Sequence, residues 1–410
     1  MNLFKFSKSL TVILFIFCIT VSFSQNKYNT KSTNKANNSK SYLVENEEND
    51  DNVVELGYNI QSAIFDSDID TYLSYYDLDA FGKLIIKDVK DDKQSKNYTL
   101  GFLKGLKDGI SSIPKKIISE VEAGSYYDFV NYRYDDDTKN YYLLFRIYSP
   151  DTGINYHDYT VSKLNGKFVF KDIYIYLSGE TLSKTFQRFY LYNLPKKSLL
   201  DFFGKNNSDE FLQLHDAVNL YNQGEFNKAY DKISEIEGDL KKDRYVLLIK
   251  AFCASGINDN EYKKSLKAIS DAYPDDPSLS LSQIDYHIMT KNYDTAISLL
   301  NSLEEKTEDE FLNLLKGNIE YEREAYDKAT AYFKIVSDNY PDFWEGHFSY
   351  LSCLAITNKF DECVKLLSFM VTEGYEKTDL IEFVEELDEN GENVFEFLVA
   401  SNLYKKWKQE

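Results

Sequence analysis

The chain has 410 residues, with 47 Lys and Arg against 67 Asp and Glu and a net charge of −20. Its 43% hydrophobic content is that of ordinary globular protein, and the length allows two or three domains with cores of their own. Residues 1–200 sum to zero, so residues 201–410 carry the whole negative charge. Such a surface repels phosphates, and no Lys/Arg stripe interleaved with aromatics occurs, which excludes nucleic acid and anionic membrane surface as partners.

Lys5 and Lys8 precede an apolar run from Leu10 to Val21, and Ser22-Phe23-Ser24 puts small residues where a signal peptidase reads before Gln25. This predicts a signal peptide over 1–24 and export, to the periplasm, the envelope or the exterior. The run is shorter than the roughly 20 apolar residues of a spanning helix, so no transmembrane helix is expected after cleavage. Loss of Cys18 leaves Cys253, Cys353 and Cys363, an odd number set in helical patterns, which reads as small buried residues and not as a disulfide framework. Residues 25–52 are rich in Asn, Ser, Lys and Thr and end in a run of acids, the composition of a disordered linker.

Residues 53–195 read as an α+β module, helices first and an antiparallel sheet after. Apolar spacing predicts a helix over Val53 to Ala63, a second after the Asp66, Asp68, Asp70 cluster, and a third from Asn97 that stops at Pro114. The period then becomes two, predicting strands at Tyr126 to Tyr134, Tyr141 to Tyr148, Tyr156 to Leu164 and Lys167 to Leu177, with Asn165-Gly166 as a hairpin signal. The order, with Ala63 to Asp70 and Tyr75 to Phe81 as an acidic helix-to-helix link, resembles the nuclear transport factor two-like fold. That resemblance implies a cone-shaped pocket between helices and sheet, and with it the alternative of small-ligand binding or enzymatic activity there.

In the second half an aromatic residue is followed three positions later by a small one at Phe226/Ala229, Tyr262/Ser265, Tyr293/Ala296, Tyr326/Ala329 and Phe360/Cys363. The aromatics are 36, 31, 33 and 34 residues apart, the period of a two-helix repeat. With Gly317, Phe333 and Pro341 in the fourth unit, residues 206–375 resemble the tetratricopeptide repeat, in about five copies. The expected fold is therefore an α+β module followed by an all-α tetratricopeptide-like solenoid, with residues 376–410 as capping helices. The resemblance implies that the first helix of each unit lines a concave groove for a protein or peptide partner. Phe211, Leu214, Val218, Tyr221, Leu248, Phe252, Leu281, Asp285, Phe311, Leu314, Tyr321, Phe348 and Ser352 fall at those positions. The cations with which family members grip a C-terminal carboxylate are missing there.

Motifs for chemistry are sparse. Asp66, Asp68, Asp70 and Asp77 have calcium-loop spacing, but Thr71 stands where the loop needs glycine, and helix capping by Asp66 or Asp68 is the better account. His157, His215, His287 and His347 are scattered singly, and His157-Asp158 would point to opposite faces of a strand. The expectation is a non-catalytic scaffold without cofactor or metal. N-terminal sequencing of the protein made in a bacterial host is expected to find Gln25 as the first residue; retention of Met1 would refute the signal peptide.

Overall fold

The computed structural model describes residues 43–87, 93–150, 153–192, 208–274, 276–388 and 391–410. The signal peptide and most of the linker expected from the sequence lie outside them. Helices come first, a five-stranded antiparallel sheet follows, and the rest of the chain is helical.

Helix α1 (Glu47–Phe65) starts six residues before the expected helix, because Asn46 caps it by accepting a 2.9 Å bond from Asn49 N. The preceding turn is anchored as well: Leu43 is buried and its carbonyl accepts from Tyr134 Oη at 2.8 Å. Residues 43–52 are thus part of the fold, and not of a linker. The acidic link spends its carboxylates on caps. Asp68 accepts from Thr71 N at the start of α2 (Ile69–Ser74), and Asp77 from Ala80 N at the start of α3 (Leu78–Ile85), both at 2.9 Å. Pro114 does not end the third helix. Helix α4 (Lys93–Gly109) stops earlier, and Pro114 lies in the first turn of α5 (Ser112–Glu122), where its missing N–H leaves no helical bond unmade.

The strands β1 (Tyr126–Asp135), β2 (Asn140–Ser149), β3 (Gly153–Leu164), β4 (Lys167–Ile175) and β5 (Glu180–Thr181) form a meander in sequence order. Asn165 and Gly166 both take positive φ, 52° and 87°, which matches a tight turn to the twist of β3 and β4. A bulge between Phe129 and Asn131 is held by α1, whose Gln61 Oε1 accepts from Phe129 N at 2.6 Å. The core under the sheet is aromatic, with Tyr72, Tyr127, Tyr159, Phe145 and Phe170 fully buried.

After α6 (Leu182–Tyr192) the chain runs through helix pairs α7 (Ser208–Asn222) and α8 (Phe226–Ser234), α9 (Arg244–Ser255) and α10 (Asp259–Ala272), and α11 (Ser280–Met289) and α12 (Tyr293–Thr307). Pairs α13 (Asn313–Glu322) and α14 (Tyr326–Asn339), and α15 (Trp344–Ile356) and α16 (Phe360–Thr372), follow before the terminal helices α17 (Lys377–Glu385), α18 (Glu396–Ala400) and α19 (Asn402–Gln409). The small residues lie at crossings as expected: Ala229, Ala296, Ala329 and Cys363 are fully buried. A Cβ on Gly317 would overlap the Phe333 ring, and one on Gly256 would lie 2.5 Å from the Phe226 ring.

Compact units do not divide at the sequence boundary near residue 200. The division falls between Gln283 and Ile284, so the sheet module and the first two helix pairs belong to one unit and residues 284–410 to the other. Two arginines join the parts of the first unit. Arg188 of α6 pairs with Glu180 through both terminal nitrogens, at 2.8 and 2.9 Å, and lies 4.0 Å from the ring centre of Tyr245 in α9. Arg244 donates to Gly179 O at 2.7 Å and to Asp276 at 3.2 Å. Gly179 has φ +61°, and any Cβ there would overlap the Arg244 guanidinium.

Gly179 and Gly224 therefore form a controlled pair, since Gly224 also has positive φ (+76°) but faces open space. In urea melts Gly224→Ala is expected to cost about 1 kcal/mol from backbone strain. Gly179→Ala should cost about 2–4 kcal/mol, because it also displaces a half-buried, hydrogen-bonded charge. Equal losses would show that the Arg244 seat is not under steric control.

Candidate partner-binding face of the helix pairs

The first helices of the pairs follow the expected periodicity, but they bury the residues meant to line a groove. Leu214, Val218, Leu248, Phe252, Leu281, Phe311, Leu314, Phe348 and Ser352 are all buried. The apolar stripe that faces a groove lies close to the stripe that meets a neighbouring helix, and here burial claims both. Only Tyr221, Asp285 and Tyr321 of the expected set are half-buried, and the Phe211 side chain is outside the described residues. Tyr221 packs on Phe226 with ring centres 5.5 Å apart, and Tyr321 on Tyr326 at 5.3 Å. Partial burial pushes the Tyr321 hydroxyl up to about 12, so it stays protonated at physiological pH.

At the last pair the chain covers its own expected groove position. Phe383 of α17 lies 3.7 Å from Phe348, centre to centre, and Trp344 stacks edge-on against Phe348 at 3.8 Å and near Tyr375 at 4.9 Å. Helix α19 completes the cover with buried Tyr404 and Trp407, and Lys377 Nζ donates to Trp407 O at 2.7 Å.

The sequence pattern did not reveal a set of buried polar and charged residues on α13. Asn313, Lys316 and Glu320 are buried one helical turn apart, where the equivalent positions 34 residues later hold His347, Tyr350 and Leu354. Lys316 Nζ pairs with Glu304 at 2.6 Å, and Asn313 Nδ2 donates to the same carboxylate at 3.0 Å. Arg323 connects Asp294 (2.8 Å) with Glu320 (3.3 Å). The available signal was a Lys and a Glu four apart on a helix face that should be apolar.

His157 offers no open chemistry. It is buried in the sheet core with Nδ1 3.3 Å from Tyr127 Oη, and Tyr127, Tyr159 and Tyr72 continue a chain of hydroxyl bonds of 2.8 and 3.0 Å. Its neighbour Asp158 points away, into a two-pronged pair with Arg133 at 2.9 and 2.6 Å. The rings of Tyr127, Tyr159, Phe145 and Phe170 fill the space between sheet and helices where the resemblance implied a pocket. Cys253, Cys353 and Cys363 are equally withdrawn: each is buried and free, and desolvation pushes their thiols up to about 12. Burial lowers the His347 pKa as well, and its Nε2 donates to Pro341 O at 2.8 Å with Nδ1 2.7 Å from Ser337 Oγ.

No family model matches the chain, and no curated protein matches it. A solved structure of MamA from AMB-1 matches 43% of this chain and 98% of its own, at 14% identity and a TM-score of 0.35. The helix pairs are consistent with a tetratricopeptide-like arrangement. No helix among the described residues is long and apolar enough to cross a membrane.

Burial lowers the His157 pKa to about 3 from an ordinary value near 6.5. Above pH 6.5 neither the folded nor the unfolded chain protonates this residue; below it the unfolded chain gains a proton that the folded chain refuses. Stability should therefore fall as pH drops from 6.5 towards 3, by about 1.4 kcal/mol per pH unit from this one group. Urea melts followed by the tyrosine signal should show that slope shrinking in His157→Phe between pH 6 and 4.5. An unchanged slope would mean that His157 is not held neutral by burial.

Proposed function

We propose that this chain is an exported, non-catalytic protein–protein interaction scaffold of a bacterial cell envelope or secretome, binding its partner through the helix pairs. The observation that carries the reading is the repetition itself. Successive pairs bury a small residue at the same place in the second helix (Ala229, Ser265, Ala296, Ala329 and Cys363), and such pairs present surface over a length that no one of them could stabilise alone. Export rests on the Lys5, Lys8 and Leu10 to Val21 pattern. The α+β module, which resembles the nuclear transport factor two-like fold, acts as a rigid mount for the first two pairs through Arg188 and Arg244. His157, the sequence's one candidate for proton transfer, is tied into the sheet core, and this favours a mount over an enzyme.

A second reading, a spacer that binds nothing, draws support from Phe383 lying over Phe348, where a partner was expected. One capture experiment separates the two. The tagged mature chain is expected to retain the same proteins from its native envelope in repeated pull-downs. Tyr321→Ala with Asp285→Ala should weaken that capture by at least fivefold without changing the helical signal. Ala329→Leu should instead cost about 1–3 kcal/mol of stability by overpacking a crossing. Reproducible capture of nothing would favour the spacer, and capture untouched by the double substitution would move the partner away from this face.

A further inference from the structure

At the tip of the β3–β4 hairpin a side-chain amide, Asn165, precedes the least hindered backbone nitrogen a chain can offer, that of Gly166. Both residues are exposed, and the Asn165 side chain makes no hydrogen bond among the described residues. A Cβ on Gly166 would meet nothing within 4 Å, so the tip stands clear of the rest of the fold. The base of the hairpin is fixed far more firmly. Phe170 N donates to Tyr75 O and Asp77 N to Phe170 O, both at 2.8 Å, whereas residues 163–167 are all exposed. Two lysine–ring contacts flank the tip: Lys163 Nζ lies 4.5 Å from the centre of Phe168, and Lys167 Nζ 3.9 Å from that of Tyr75.

An Asn-Gly pair can lose its amide without an enzyme. The Gly166 nitrogen, once it gives up its proton, attacks the Asn165 side-chain carbonyl carbon. The new C–N bond closes a five-membered succinimide, the old C–N bond breaks, and ammonia leaves with the proton. One water then opens the ring at either carbonyl, giving aspartate or isoaspartate. The closed turn restrains this step, because in the left-handed conformation (φ 52°) the next nitrogen lies on the far side of Cα from the side chain. Reaction waits for the tip to open, an event that is frequent where few buried contacts oppose it. Isoaspartate then adds a methylene to the backbone of a two-residue loop and a negative charge between Lys163 and Lys167. The lengthened loop no longer matches the register of Leu164 with Lys167 that closes the hairpin.

We propose that Asn165-Gly166 is a site of spontaneous deamidation, with water as reactant and ammonia as product, and that isoaspartate formed there loosens the β3–β4 hairpin as the protein ages.

The test begins with the folded full chain held at pH 8.5 and sampled over several weeks. A lysine-specific protease releases Leu164–Lys167 as a tetrapeptide, and synthetic Leu-Asn-Gly-Lys, Leu-Asp-Gly-Lys and Leu-isoAsp-Gly-Lys identify the products by chromatography and mass. Asn165 should convert at least tenfold faster than Asn301, which is also exposed but precedes Ser302 inside α12, where helix bonding occupies the attacking nitrogen. Its rate should rise at least fivefold from pH 6.5 to 8.5, and again when urea unfolds the chain. The effect on the hairpin is read in Asn390→Gln, which removes the other Asn-Gly pair of the sequence. Anion exchange separates its aged, more negative fraction, which should unfold at a lower urea concentration than the unaged protein. Asn165→Asp, which carries the charge without the added methylene, should unfold close to wild type. The proposal is overturned if Asn165 converts no faster than Asn301, if the folded chain converts as fast as the unfolded one, or if the aged fraction unfolds with the unaged protein.

Discussion

Everything between Ser208 and Thr372 depends on how closely two helices approach at a crossing. An aromatic ring needs depth, and depth is available only where the opposing helix carries almost no side chain. Gly256 receives Phe226 and Gly317 receives Phe333 in this way, while Ala229, Ala296, Ala329 and Cys363 supply the small surface on the second helices. Once those crossings are set, the first helices are brought near their neighbours and their remaining apolar residues are drawn into the stack. This is why Leu248, Phe252, Phe311 and Leu314 are buried and unavailable to a partner.

Polar groups, by contrast, determine how the first unit is joined. The sheet module could have been a separate domain on a tether, but Arg188 and Arg244 reach from it or into it with partners on both sides. Arg244 is the more demanding, because its donors go to the Gly179 carbonyl and to Asp276, 65 and 32 residues away in the chain. The same economy operates inside the sheet. Tyr72, Tyr159, Tyr127 and His157 satisfy each other in a line, so that four polar side chains are buried without an orphaned hydroxyl among them. Such a line leaves the histidine buried, with its pKa held low.

How far the expected site was readable depends on what kind of information each residue needed. The aromatic-to-small spacing identified the crossings, because a crossing imposes two residue types at a fixed separation within one helix. The groove was not readable in that way. On a helix, the residues that face a cavity and those that face the next helix differ by little more than one position, and Leu314 or Phe348 satisfies either pattern equally. Phe348 was decided by Phe383, a residue from a terminal helix without repeat spacing. Glu320 was hidden for the opposite reason, since a glutamate four residues after a lysine looks like a solvated helix face.

The sequence by itself determined the elements and their order. The five crossings and four of the strands with the Asn165-Gly166 turn are set by interactions within a few residues, and period and turn chemistry record those directly. Even the Asp68 cap was legible, because a cap reaches only three residues ahead. Tertiary structure alone decided that Leu43 to Asn52 belong to the fold, that the sheet and two helix pairs form one unit, and which apolar faces stay open. Each of these depends on partners far along the chain: Tyr134 Oη on Leu43 O spans 91 residues, and Arg323 on Asp294 spans 29. A residue's burial and its charge partner are set by whatever the fold brings beside it, and local sequence carries no record of that neighbour.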